Sequence, residues 1–177
     1  DNKFSPTILR LATVFGYSPR QRFDLVVNLF TLFKYLKRKI QVFGGEQYRP
    51  NVHVYDVARA IMKCIKKNQK ITHKQIFNVG SNKLNHKIKD IAKIIGKKNE
   101  IEIKKTLTDD RNYHIEFSKI KKILNFDTTY DILRGSKDLF NKISKEKILT
   151  KNLKRYNNFK VESKKYAKYI KYKTVIK

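Results

Sequence analysis

Apolar positions along this chain fall into two kinds of grouping: short β-branched runs that end at glycine, and longer stretches with helical spacing. "TILRLATVF", residues 7–15, is nearly continuously apolar and stops at Gly16, which predicts a strand covered on both faces. After the turn-like "SPRQRF", "DLVVNLFTLFKYLK" is apolar almost all round and predicts a buried helix with Asp24 as its cap. "KIQVF" predicts a short strand ended by Gly44-Gly45, and "NVHV" a second extended piece. Asp56 is then placed to cap "VARAIMKCIKK", whose Val57, Ala60, Ile61, Cys64 and Ile65 share one helical face.

The same alternation continues. "QIFNVGS" (75–81) predicts a strand running into a glycine turn, and "NHKIKDIAKIIG" an amphipathic helix with Ile88, Ile91, Ala92 and Ile95 inward and Gly96 as its stop. "EIEIKK" alternates like a strand, "DDRNYHIEF" leads into a helix through Ser118, and Asp131 opens "ILRGSKDLFNKIS". The order is mixed α/β, with the domain at 1–145. Over 146–177 the periodicity gives way to Lys, Tyr and Asn, which predicts an appended basic tail.

Length and composition narrow the picture. A chain of 177 residues is enough for one ordinary domain or for part of a larger one. The richest apolar stretch, Leu25 to Leu36, is too short for a bilayer and runs into Lys34, Lys37 and Arg38, so no membrane partner is expected. The N-terminal residues lack the basic, apolar and small-residue order of a secretory signal. The single cysteine, Cys64, allows no internal disulfide and reads as a core thiol; a cytoplasmic location is expected.

The formal charge of +27 is the loudest feature, and an excess on this scale suggests nucleic acid or an anionic surface. Lysine, however, supplies 33 of the 42 basic residues and is spread over the whole chain, a pattern that fits solvated surface positions better than a dedicated patch. A basic nucleic-acid-associated protein using the Lys/Tyr tail remains the alternative from another functional class. No Cys/His/Asp spacing suggests a metal: His53 sits between valines as a hydrogen-bonded core residue, and His73, His86 and His114 are scattered among polar neighbours.

A strand ending at Gly16, a buried helix, "VFGG", "RPNVHVYD" and "FNVG" come in an order that resembles the C-terminal half of the extended short-chain dehydrogenase/reductases, the NAD-dependent epimerases and dehydratases that act on nucleotide sugars. The late Arg-containing segment of that family is matched by "DDRNYHIEFSKIKKILNFD", and the resemblance covers about residues 5–140. It implies the C-terminal part of a Rossmann-like doubly wound sheet plus a small mixed α/β substrate-binding lobe, with the N-terminal cofactor half missing.

The resemblance also implies site residues for a nucleotide-diphosphate sugar. Arg49 matches the position that reaches the diphosphate and Arg111 the late arginine that closes over it; guanidinium groups suit that role because they grip phosphate oxygens by paired hydrogen bonds. The competing role for either arginine is a plain ion pair with a carboxylate such as Asp56 or Asp110. Val42 and Phe43 match the positions that pack on the base, with ordinary core packing as the alternative, and Gly44 and Gly45 allow a tight turn beside the ligand. Thr13 stands where many members have a sugar-facing asparagine, and Arg22 or Arg20 lies in a segment resembling a loop over the sugar or diphosphate.

The family's chemistry requires NAD or NADP, a glycine-rich turn for its pyrophosphate and a Tyr-x-x-x-Lys pair. No G-x-x-G-x-x-G occurs here, so no dinucleotide is expected to bind this chain alone. Tyr35/Lys39, Tyr156/Lys160 and Tyr169/Lys173 have the pair spacing, but roughly two such pairs are expected by chance, and no residue is assigned a catalytic role. The expected partners are a nucleotide-diphosphate sugar and either a separate cofactor-binding half or a second copy of the chain.

Overall fold

The apolar run at 7–15 forms two strands in the computed structural model, which describes residues 4–105 and 111–146. β1 (Thr7–Leu11) and β2 (Thr13–Phe15) meet at Ala12 and are followed by α1 (Val26–Tyr35), β3 (Ile40–Phe43), β4 (Tyr48–His53), α2 (Val54–Lys66) and the single turn α3 (Gln69–Thr72). Then come β5 (Gln75–Val79), β6 (Asn85–Lys87), α4 (Ile88–Ile95), β7 (Ile101–Lys104), α5 (Ser118–Leu124) and α6 (Ile132–Glu146). The tail lies outside the described residues from position 147.

The pairs β1–β5, β2–β4 and β3–β7 are parallel, as expected of strands separated by helices, and β6 joins β4 antiparallel. This is a Rossmann-like α/β arrangement. Around Phe77 and Val79 of β5, a core forms with Val57 and Ala60 of α2 and Ile120 and Leu124 of α5. A second core gathers Phe15, Ile40, Val42, Ile91 and Ile132. Phe23, Leu32, Leu139 and Ile143 join α1 to α6. Each fully buried side chain of this size contributes about 1.5–3 kcal/mol against the entropy of ordering the chain.

Three expectations need correction. β1 is not covered on both faces: Ile8 is 51% exposed and its register partner Ile76 is 36% exposed. The inward face of α2 is narrower than the sequence spacing suggested. Val57 and Ala60 are buried, whereas Ile61 and Ile65, about 40° and 80° round from Val57 on the side away from Ala60, are 43% and 70% exposed. Neither aspartate acts as the expected cap. Asp24 is taken by Arg22 through bonds of 3.1 and 2.7 Å, and α1 starts at Val26 without a side-chain cap. α2 starts earlier than expected, capped by His53, whose ring accepts from the Tyr55 amide at 3.3 Å.

Asp56 is instead a fully buried fastener between α2 and the approach to α6. Its carboxylate accepts from the Thr129 and Tyr130 amides at 3.0–3.1 Å, from the Thr129 hydroxyl at 2.8 Å and from Arg59 at 2.6 Å. Other signals hold. Gly96 ends α4, Ile91, Ala92 and Ile95 are buried, and Asp131 accepts from the Arg134 amide at 2.7 Å as α6 opens.

Candidate functional site

β4 carries the centre of the candidate site. Side chains alternate along a strand, so Arg49, Asn51 and His53 line one face, with Thr13 and Phe15 of β2 beside Asn51 and His53 in the ladder and His86 of β6 beside Arg49. The Arg49 side chain runs to the strand's edge and is only 7% exposed. Its Nη1 donates to the Tyr48 carbonyl at 2.8 Å and to the Arg111 carbonyl. The Tyr113 ring centroid lies 5.4 Å from the guanidinium carbon.

Arg111 and Tyr113 belong to a strap, residues 111–117, that side-chain amides fasten to β4 and β6. Asn112 accepts from the Tyr48 amide at 2.9 Å, Asn85 holds the Ile115 amide and carbonyl at 3.1 and 3.0 Å, and Asn82 accepts from the Phe117 amide at 2.9 Å. The two arginines singled out from sequence thus meet, but through the backbone of Arg111, whose side chain is exposed. Asp56 spends its carboxylate on Thr129, Tyr130 and Arg59, and Asp110, the other carboxylate considered for either arginine, lies outside the described residues. The fastening amides carry no motif, and only their proximity in the fold marks them.

Val42 is corrected by the same alternation. It is fully buried beside Ile40, while Phe43 faces the other way, partly exposed, with the Lys104 ammonium 5.9 Å from its ring centroid. Adjacent residues of a strand cannot both face one ligand surface; the partner of Phe43 on the accessible face is Gln41. The following turn is built around Gly44 and Gly45, with φ of 71° and 105°. Gln47 bridges it, accepting from the Gly45 amide at 2.7 Å and donating to the Phe43 carbonyl at 3.0 Å.

Thr13 is half-buried in β2, on the same rung as Asn51. The loop after Gly16 is also preformed. Asn28 accepts from the Gly16 amide at 3.0 Å and donates to the Arg22 carbonyl at 2.8 Å, and Gln21 spans the Gly16 carbonyl and the Ser18 amide at 3.2 and 3.0 Å. Arg22 is held in its ion pair with Asp24, its side chain 40% exposed.

His53 is 3% exposed, stacked on Tyr130 at 4.0 Å, with the Arg134 guanidinium 4.1 Å above the far ring and Phe15 edge-on at 5.2 Å. Burial holds its imidazole below the ordinary value, against the pull of Asp56 and Asp138. It is a structural residue, as the sequence suggested. Cys64 packs against the core with its thiol pushed up by burial. Glu46 is held down at about 2 by Lys89 and Lys87 on the exposed turn. A cleft of about 140 Å³ lies between Gly80 and α5, but its polar groups satisfy one another: Glu116 binds Asn82 and Ser118, and Lys121 pairs with Asp127 at 3.2 Å.

Tyr35 ends α1 and packs on Phe140, while Lys39 lies beyond the helix and reaches the Asn99 carbonyl; the pair does not share a helical face. The six glycines, at 16, 44, 45, 80, 96 and 135, include no two spaced three apart, so the sequence contains no G-x-x-G-x-x-G. Among the described residues no cluster of His, Cys, Asp and Glu could hold a metal, and no helix is long and apolar enough to cross a membrane.

Comparison with known proteins bears on the fold and the family. The model of the NAD dependent epimerase/dehydratase family matches residues 1–80. A UDP-glucuronate 4-epimerase of Thermodesulfobacterium geofontis is 31% identical over 155 residues, covering 84% of this chain and 46% of the relative. Of the solved structures, UDP-glucose 4-epimerase of Thermotoga maritima with UDP-glucose has a TM-score of 0.65 at 26% identity, over 81% of this chain and 47% of that one. UDP-glucuronic acid 4-epimerase of Bacillus cereus, in complex with UDP-glucuronic acid and NAD, has a TM-score of 0.64 at 22% identity, over 79% of this chain and 45% of that one. The chain thus spans about half the length of the relatives it matches. Related in sequence and in fold over most of its length, it belongs to the NAD dependent epimerase/dehydratase family, as a portion of the full family architecture.

Proposed function

We propose that this chain is the nucleotide-sugar-binding portion of an NAD(P)-dependent epimerase or dehydratase, inactive without a cofactor-binding half. The observation that carries the reading is the union of Arg49 with the strap of Arg111, two cationic residues on separate segments held together by β4, β6 and three asparagines. A nucleotide sugar carries two phosphate charges between bulky neutral ends, and a preset guanidinium lowers the entropy lost in gripping them. Phe43 offers an apolar face for the base, and Thr13 and the Arg22 loop lie toward the sugar. The cofactor, bound by the other half, would take a hydride from a sugar carbon and return it after epimerisation or dehydration. The sequence has no glycine-rich G-x-x-G-x-x-G turn for its pyrophosphate, and calorimetry of the chain alone with NAD or NADP should show no binding.

The exposed Ile8–Ile76 face supports docking of that complementary half, because parallel sheets are normally covered on both sides. The test joins this chain to a cofactor half of the same family and titrates uridine- and thymidine-diphosphate sugars by calorimetry. Arg49→Ala or Arg111→Ala should weaken binding about ten- to a hundredfold, with lysine rescuing only in part. A tight complex indifferent to both substitutions would locate the diphosphate elsewhere.

A further inference from the structure

We infer that Tyr113 is a positioning residue that fixes the plane of the Arg49 guanidinium for an incoming diphosphate. The inference rests on the proposed role of Arg49 and adds a residue to which the sequence assigned no role. Two carbonyl acceptors on Nη1, from Tyr48 and Arg111, restrain one end of the guanidinium, and the Tyr113 ring at 5.4 Å supplies a broad, electron-rich surface against it. The ring over the group adds a flat surface that opposes rotation of the guanidinium about the side chain's long axis.

The ring is itself held. Tyr113 follows Asn112, which accepts from the Tyr48 amide at 2.9 Å, and precedes His114, whose ring meets Tyr48 edge-on at 5.6 Å. Two residues on, Asn85 binds both the amide and the carbonyl of Ile115. The backbone on either side of Tyr113 is therefore anchored to β4 and β6, while the ring is 41% exposed and buries no core. An exposed tyrosine on a strap fastened at both flanks contributes little to packing, and the group it meets is the one arginine of β4.

The full chain labelled at arginine provides the test by NMR, with uridine diphosphate as the probe of binding. The Arg49 guanidinium nitrogens should give separate, slowly exchanging signals in the parent and in Tyr113→Phe, which keeps the ring, and merge in Tyr113→Ala and Tyr113→Leu. Affinity for uridine diphosphate should be kept within about twofold in Tyr113→Phe and fall about three- to fivefold in Tyr113→Ala, with the thermal midpoint unchanged in both. Equal ordering of Arg49 in Tyr113→Ala, or equal loss of affinity in the Phe and Ala variants, would overturn the inference. If Tyr113→Ala frees Arg49 but neither the parent nor Arg49→Ala binds uridine diphosphate, the positioning role stands and the diphosphate reading falls.

Discussion

His53 illustrates how one residue can serve three elements at once. Its Nδ1 accepts from the Tyr55 amide, so the neutral ring carries its proton on Nε2, an atom so close to Gly16 that a Cβ there would lie 2.4 Å away. Gly16, at φ 112°, is thus required both by backbone conformation and by contact. Burial depresses the His53 pKa below its usual 6.5, and burial does the same to His86. Above about pH 6.5 both rings are neutral folded and unfolded, and stability is at its full value. As pH falls through 6.5 the unfolded chain takes up protons first, so stability declines towards the lower folded values. Chemical unfolding at about pH 7.5 and 5.5 should show this loss. His53→Asn keeps an oxygen to cap α2 and removes one titration, and should flatten the decline; an unchanged slope would assign it to other groups.

Among the elements, α2 depends on a buried carboxylate more than on its own apolar face. Ile61, Met62 and Ile65 are exposed, and the helix is tied down instead by Asp56, fully buried and bonded to Thr129, Tyr130 and Arg59. Removing that carboxylate leaves two part-buried amides and the Thr129 hydroxyl without their acceptor, while Arg59 keeps the Asp127 carbonyl. Asp56→Ala should therefore lower the unfolding free energy by about 3–5 kcal/mol, measured by denaturant titration, whereas Lys66→Ala on the same helix should change it by less than about 0.5 kcal/mol. A loss under about 1 kcal/mol for Asp56→Ala would mean that the loop at 127–131 is held mainly by packing.

For the molecule as a whole, the open face of β1 and β5 is the principal liability. Phe4, Ile8, Leu11 and Ile76 are all exposed, and among the described residues β1 pairs with β5 alone. An uncovered strand edge beside apolar side chains promotes association. Ile8→Lys should reduce self-association in light scattering at high concentration while shifting unfolding by no more than about 0.5 kcal/mol. If the parent is a clean monomer under those conditions, the face needs no partner.

The order of elements was legible in sequence because it rests on local rules: β-branched runs ending at glycine, helical spacing in "NHKIKDIAKIIG", and Asp131 opening α6. Arg49 and Arg111 were legible from the resemblance of their surroundings to one family. Other features depended on which segments meet. Val42 fell to the core because strand alternation permits only one of two neighbours to face outward. Asp24 and Asp56 have good capping chemistry, but Arg22 captures the first, and the loop at 129–130, more than seventy residues away in sequence, captures the second. Tyr113 and the fastening asparagines carry no periodic or motif signal; they gain a role only because β6 and the strap at 111–117 return to β4. Local propensity and pattern are written residue by residue, whereas long-range partnerships are decided when tertiary packing sets which of several suitable groups comes within hydrogen-bond reach.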